Sequence, residues 1–396
     1  MSDMPVFKIK RGGDDRSCVL KKVVTAEQSL ELPKYIDGMY VTVIGGGAFK
    51  KSPRLKSVII PDTVTAIAPK AFAGSNIESI VIPRSVTAIG DKAFDKCVYL
   101  REITVENPAA KLGKSLFSGC YNIRRASLPV SAFVGRWFTT VEDLTVTGNG
   151  IISENMFKDC GALKSVTVGE GITELREKAF CDCTALARVV LPDSLSIIEE
   201  DVFEDCGALK SFTVPKGVTE IWWEAFSGCA IESFDVDKDN PNFRSDGNCI
   251  IEIAEKKLIA GCANSVIPDD GSVNYIEDGA FSECKELNAI VIPSAVKTIG
   301  DHVFVNCVKL ESIVLSEGVE EICDFAFAGC SHLEAINLPS TVKELGFGIF
   351  GDCEWLSDVF FNGTIAAWRD VRVDKNFGGN SSFVLHCTDG DVEDYK

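Results

Sequence analysis

The sequence predicts an α/β solenoid of about 12–13 coils, each coil supplying short parallel strands plus a short helical turn, with β-rich caps at both ends. Three observations predict it. Phenylalanines recur with a 23-residue period, a cysteine, a leucine and a proline keep phase with them, and the stretches between alternate with period two. With 396 residues, 46% of them hydrophobic, the chain has the material for a large core, so disorder is not expected.

The phenylalanines are Phe49, Phe72, Phe94, Phe117, Phe157, Phe180, Phe203, Phe226, Phe281, Phe304, Phe327 and Phe350, and eight of the eleven intervals are 23 residues. Three positions after the Phe stands a cysteine in ten of twelve units, among them Cys97, Cys183, Cys206 and Cys307, with Ser52 and Ser75 in the first two. A leucine follows, as at Leu100 or Leu310, then a β-branched stretch such as Ser57-Val58-Ile59-Ile60. Proline often closes it, as at Pro61, Pro83 and Pro293, and Val-x-x-Ile leads to the next Phe, as in Val64 to Ile67. Each unit therefore reads as short strand, turn, short strand, helical turn.

Twenty-three residues cannot enclose a core of their own, so each unit must bury its Phe, Leu, Val and Ile against the units on either side. Stacked strands lie about 4.8 Å apart. Residues in phase, such as Phe94, Phe180, Phe203 and Phe304, or Cys97, Cys183, Cys206 and Cys307, then form structural ladders.

Where the period fails, other elements are expected. Residues 1–35, with Val6 to Ile9 and Cys18 to Leu20, read as an N-terminal β cap that covers the apolar end of the first coil. Coils run over 36–236, including a degenerate one near 129–152 inside the 40-residue interval after Phe117. Residues 237–265 form an inserted β-hairpin region around Asp246-Gly247-Asn248. Its expected role is to cover the solenoid edge or pair two half-arrays, a ligand loop being the alternative. Coils resume over 266–353, and 354–396 make a C-terminal cap with a frayed acidic tail from Asp389 to Lys396.

The pattern Leu-x-x-Ile-x-Ile-Pro-x-x-Val-x-x-Ile-Gly-x-x-Ala-Phe-x-x-Cys resembles BspA-type leucine-rich-repeat proteins, over about residues 36 to 390. The resemblance includes Asp239-Asn240-Pro241-Asn242-Phe243 before the insert. It also includes Phe361-Asn362-Gly363-Thr364, Trp368 and His386-Cys387-Thr388-Asp389-Gly390 near the end. It implies a right-handed leucine-rich-repeat solenoid, and a bacterial surface or secreted protein that binds host or neighbouring-cell components. Met1 to Arg16 carries no apolar export segment, so the chain as it stands is expected to be cytoplasmic if Met1 is the native start, against the surface location that the resemblance implies.

Charge and chemistry narrow the function. A net charge of −18 argues against nucleic acid or an anionic membrane as partner, and no window approaches eighteen apolar residues, so no membrane insertion is expected. Ten of the sixteen cysteines share the ladder position and read as buried, reduced thiols. Cys181, beside the ladder Cys183, falls on an exposed phase, and Cys18, Cys249, Cys262, Cys323 and Cys387 lack metal-ligand spacing. His302 and His332 occupy variable positions and read as surface residues, and His386 belongs to the cap. None has the Ser or Cys nucleophile and orienting acid of a triad. Gly45-Gly46-Gly47 reads as a turn. The acidic pairs Asp14-Asp15, Asp237/Asp239 and Asp269-Asp270 read as solvated loop charge rather than calcium ligands. Asn362-Gly363-Thr364 and Asn380-Ser381-Ser382 match the glycosylation sequon, which matters only in a eukaryotic secretory route. The expectation is no catalytic residue, no metal and no cofactor.

Residues nine and eleven after each Phe point inward, so those eight and ten after it, such as Ser57 and Ile59 or Ser312 and Val314, line a concave sheet. The ligand face is expected to include Lys56, Arg101, Arg124, Arg125, Lys164, Arg188 and Lys210 in its N-terminal half. Glu232, Asp235, Glu311, Glu334 and Asp358 belong to its C-terminal half. Two readings stay open: an electrically polar face that attracts an acidic protein segment or acidic glycan, or solvated flanks. The function that follows is a monomeric, non-enzymatic protein-interaction or adhesion scaffold for a protein or glycan ligand. The alternatives are a structural spacer and, with less support, a carbohydrate-active enzyme, which would need paired carboxylates about 5–10 Å apart.

Overall fold

The computed structural model describes residues 4–50, 52–134 and 138–392. Residues 1–3 of the expected cap and 393–396 of the acidic tail lie outside the described residues. The chain divides into two compact units, Met1–Ile152 with Cys160–Thr173, and Ser153–Asp159 with Glu174–Lys396.

In the first unit, one parallel ladder runs through Ser29–Glu31, Ser57–Ile59, Ser79–Ile82, Glu102–Val105, Arg125–Pro129, Asp143–Thr147 and Ser165–Val168. The degenerate coil is a full member, since Asp143–Thr147 pairs on both edges. A second ladder runs through Met39–Ile44, Ala66–Ile67, Ala88–Ile89 and Lys111–Leu112. The cap starts it as an antiparallel hairpin, Val6–Arg11 on Ser17–Val24, whose inner strand pairs parallel with Met39–Ile44.

In the second unit, Ser211–Val214 pairs with Ser233–Val236. After the insert a separate parallel sheet runs through Ala289–Ile292, Ser312–Leu315, Ala335–Leu338, Asp358–Phe361 and Val384–Cys387. The insert is a three-stranded antiparallel meander, Phe243–Asp246, Cys249–Glu252 and Lys257–Ala260, one strand more than the expected hairpin. Its last strand starts a new parallel ladder through Tyr275–Ile276, Thr298–Ile299, Glu321–Ile322, Glu344–Leu345 and Arg372–Val373. The insert therefore does for the later coils what the N-terminal hairpin does for the first. Among the described residues there are about 16 turns, more than the 12–13 expected, and strands of the two caps, Ser29–Glu31 and Val384–Cys387, supply two of the additional ones.

The expected helical turns are not helices. Among the described residues the helical segments are the 3-10 turn Val130–Ala132 and the short α-helix Ile365–Trp368. The residue two before each of the twelve ladder Phe has a left-handed backbone, as at Lys70 (φ 59°), Lys92 (φ 55°) and His302 (φ 55°), and so, among the described residues, does the residue two after it, as at Lys96 and Asp182. Alternating handedness aims every second N–H at the next coil. Lys70, Phe72 and Gly74 donate to the carbonyls of Asp91, Ala93 and Asp95 at 3.0, 2.8 and 2.8 Å. A helix would spend those donors within its own coil and leave neighbouring coils without this row of bonds.

The core is the ladder that the period demands. Phe72 and Phe94 stack at 5.2 Å, Phe180 and Phe203 at 5.6 Å, and Phe304 and Phe327 at 5.5 Å, all buried. The cysteines have a second task beside filling space. The thiols of Cys97, Cys120, Cys183, Cys206, Cys307, Cys330 and Cys353 each donate to the carbonyl of the Phe one coil earlier, at 3.1–3.3 Å. Ser52 does the same for Val23 with its hydroxyl. Burial holds the thiols of Cys249, Cys284 and Cys353 up at about 12.

One expectation about side chains needs correction, and two histidines carry contacts of their own. Cys181 is buried, not exposed, because its thiol turns between the carboxylates of Glu204 and Asp182, at 3.2 and 3.3 Å; burial and those carboxylates push its pKa up. His302 is half-buried, its ring stacked on Phe325 at 5.1 Å. His332 is half-buried as well, against Trp355, with Nδ1 bonded to the Val308 carbonyl.

Candidate binding surfaces

Strand alternation decides what each ladder shows to solvent. In the first unit Val58, Ile80, Ile103, Ala126, Leu144 and Val166 turn into the core. One outward row is Ser57, Ser79, Glu102, Arg125, Asp143 and Ser165; the other is Ile59, Val81, Thr104, Ser127, Thr145 and Thr167. Ile59 is 58% exposed in mid-sheet, and with Val81 and Thr104 it floors a cleft of about 500 Å³. In the second unit Val291, Val314, Asn337, Phe360 and His386 share a row. Val291 is 56% exposed, and a cleft of about 430 Å³ lies over Val291 and Val314 beside Val266.

The expected basic half is not a free cationic patch. Arg125 lies between Glu102 and Asp143 on the two adjacent strands, at 2.8 and 3.3 Å. Glu142 takes both Lys164 (2.6 Å) and Arg124 (3.5 Å), Lys56 meets Glu78 (2.9 Å), and Lys210 meets Glu232 (3.3 Å). Only Arg101 and Arg188 of the seven expected cations have no ion pair among the described residues. On the acidic side, Asp358 and Asp391 hold His386 at 2.8 Å each, which raises the imidazole pKa through hydrogen bonds and charge. Asp235 accepts the Ser245 hydroxyl at 3.2 Å. Glu311 and Glu334 stand exposed, without an ion pair among the described residues. The sequence carries the signal for these pairs. Opposite charges recur 22 or 23 residues apart, as Lys56 and Glu78, Glu102 and Arg125, or Glu142 and Lys164, and that is the distance to the adjacent strand.

Of the acidic pairs set aside as loop charge, Asp14 accepts the Arg16 amide, Asp237 the Asp239 amide and Asp270 the Ser272 amide, so each closes its own turn.

Sequence reasoning passed over Trp222 and Trp223. They occupy the turn after the strand Glu220–Ile221, where other coils carry pairs such as Ala68-Pro69, Gly90-Asp91 and Gly300-Asp301. Both are exposed, at 44% and 45%, beside a groove of about 480 Å³ that the insert strand Lys257–Ala260 borders. Two adjacent large aromatics at a variable position were the available signal.

A family model described as a BspA-type leucine-rich-repeat region matches residues 28–145, 137–247 and 259–371. Among solved structures, the chain is similar to a leucine-rich cell surface protein of Faecalibacterium prausnitzii. That match has 25% identity and a TM-score of 0.48, covering 95% of this chain and 99% of that one. A leucine-rich-repeat protein of Bacteroides ovatus is 19% identical, TM-score 0.49, covering 96% and 98%. The pneumococcal vaccine antigen PcpA is 14% identical, TM-score 0.43, covering 96% of both. No curated protein matches the chain.

Proposed function

Because the chain belongs to the BspA-type leucine-rich-repeat family, we propose that it is a non-enzymatic binding scaffold of a bacterial cell surface, with coils wound right-handed, whose open strand faces receive a protein or glycan ligand. One observation carries this reading: large aliphatic side chains, Ile59 and Val81 in one unit and Val291 and Val314 in the other, stand exposed in mid-sheet over clefts of ligand size. A sheet face that merely met water would be expected to carry polar residues at those positions. The charges around them are largely spent on one another, so shape and apolar contact supply affinity, and Arg101, Arg188, Glu311 and Glu334, without an ion pair among the described residues, supply selectivity.

The test is a screen of extracellular proteins and glycans against the wild-type chain and against Val81→Glu and Val291→Glu. These substitutions are outward, so folding should survive, which far-ultraviolet circular dichroism checks. A genuine ligand should lose about tenfold or more in affinity with one of them, since a buried unpaired carboxylate is costly. Ligands indifferent to both would refute the assignment of the open faces.

A further inference from the structure

The insert interrupts the second ladder of the later unit. Glu220–Ile221 pairs with Ile197–Ile198 on one side and ends its sheet on the other. The strand Lys257–Ala260 is paired on both of its edges, with Cys249–Glu252 and Tyr275–Ile276, so it does not take up the free edge of Glu220–Ile221. Between them lies the 480 Å³ groove, with the two exposed indoles on one bank.

The other bank is acidic. Glu277 is committed to Lys257 at 2.9 Å, and that ammonium also sits 5.4 Å from the centre of the Tyr275 ring. Glu252, Asp278 and Asp301 also line the groove and have no ion pair among the described residues. Asp278 and Asp301 accept backbone amides, of Asp301 and Asp324, at 2.8 Å each, which fixes where their charge points without neutralising it. In the indole pair, Trp222 is oriented by its Nε1–H donating to Glu220 at 3.3 Å.

We propose that this groove binds a short extended peptide segment carrying arginine or lysine, which adds as a strand beside Glu220–Ile221 and places its cationic side chain over Trp222 and Trp223 among Glu252, Asp278 and Asp301. A free strand edge supplies main-chain bonds to an extended peptide. Indole faces attract guanidinium and ammonium groups, Trp most strongly. Three uncompensated carboxylates give the field that steers a cation in and repels an acidic segment. The site is separate from the open strand faces and stands or falls without them.

Intrinsic tryptophan fluorescence of the full chain, titrated with short peptides, reads the site directly. The probes are an Arg-containing tetrapeptide, its Glu counterpart, its Ala counterpart and a neutral oligosaccharide. The Arg peptide should bind and the Glu peptide should not. Affinity should drop about tenfold in Trp222→Ala or Trp223→Ala, and fall with added salt. Asp301→Asn should weaken the Arg peptide and leave the Ala peptide unchanged. Val291→Glu, on the open face, should leave binding intact, so a failure of that face is distinguishable from a failure of this groove. Binding of the oligosaccharide in preference to the Arg peptide, equal binding of Arg and Glu peptides, or no binding of any probe to the folded wild type would overturn the proposal.

Discussion

The coil of Phe226 and the coils from Phe281 to Phe350 are written in the same 23-residue code, yet only the second group completes it. Phe281, Phe304, Phe327 and Phe350 are buried in one stack, with centroids 5.1 to 6.0 Å apart, and each turn donates its amides to the next. Phe226 stacks on Phe203 at 5.9 Å but stays half-buried. The amides of Glu224, Phe226 and Gly228 meet no acceptor among the described residues. Across the gap, the ring of Phe281 is covered by the insert backbone at Gly261, whose amide donates to the Ala280 carbonyl at 2.8 Å. A coil is thus worth what its successor makes of it. The nearest-neighbour term, not the unit's own sequence, carries its stability.

The largest effect should come from Phe304→Ala, which opens a cavity between two stacked rings: a loss of about 3–5 kcal/mol, read by chemical denaturation. Phe226→Ala should cost about half of that. Equal losses would erase the contrast between the two environments. Gly261→Ala sharpens it from the other side. A Cβ there would come within 2.0 Å of the Phe281 ring, so a destabilisation of about 1–3 kcal/mol is expected, localised by hydrogen exchange to the coils after Phe281. An unperturbed variant would mean that the insert does not seal that stack.

Smaller again is Cys307→Ala, which removes one of the two hydrogen bonds to the Phe281 carbonyl, the Cys284 amide at 3.0 Å remaining, and should cost about 1 kcal/mol. Cys307→Ser, with a hydroxyl in the role that Ser52 already plays, should recover part of it. If Ala and Ser behave alike, the thiol is only filler. The smallest effect is at the C-terminal cap, where His386 sits between Asp358 and Asp391. Its folded pKa is raised, so the contribution of this cluster is complete below the unfolded value of about 6.5 and is lost as pH rises through the folded value. Exchange of the Val384–Cys387 amides should accelerate over that rise in wild type and show no such step in His386→Gln.

Much of this was legible because a repeat reports each position many times. The phase of the phenylalanines placed Val58 and Val291 on opposite sides of their strands; in the coils of Phe72 and Phe226 the rows shift by one residue, so that Val81 and Asp235, nine after the Phe, face outward. Cap strands were harder to read, since Ser29–Glu31 and Val384–Cys387 carry no in-phase Phe to mark them. Along the chain Arg125 and Lys164 read as a basic face, whereas across it Glu102, Asp143 and Glu142 lie alongside. The turns read as helical in the sequence because period alone does not distinguish a helical turn from one that alternates handedness at Lys70 or Lys92.

The sequence by itself determined the layer: its length, its buried Phe, Leu and Cys, its alternating strand, and hence stacking as the only way to bury them. Tertiary structure decided what happens between layers. Pairing across coils set the fate of the charges, the burial of Cys181 and the donors of each turn. The insert decided that Trp222 and Trp223 should border a groove instead of another coil. The physical reason is that a residue's periodic position specifies the direction of its side chain, whereas its partner is whatever the next layer brings within reach.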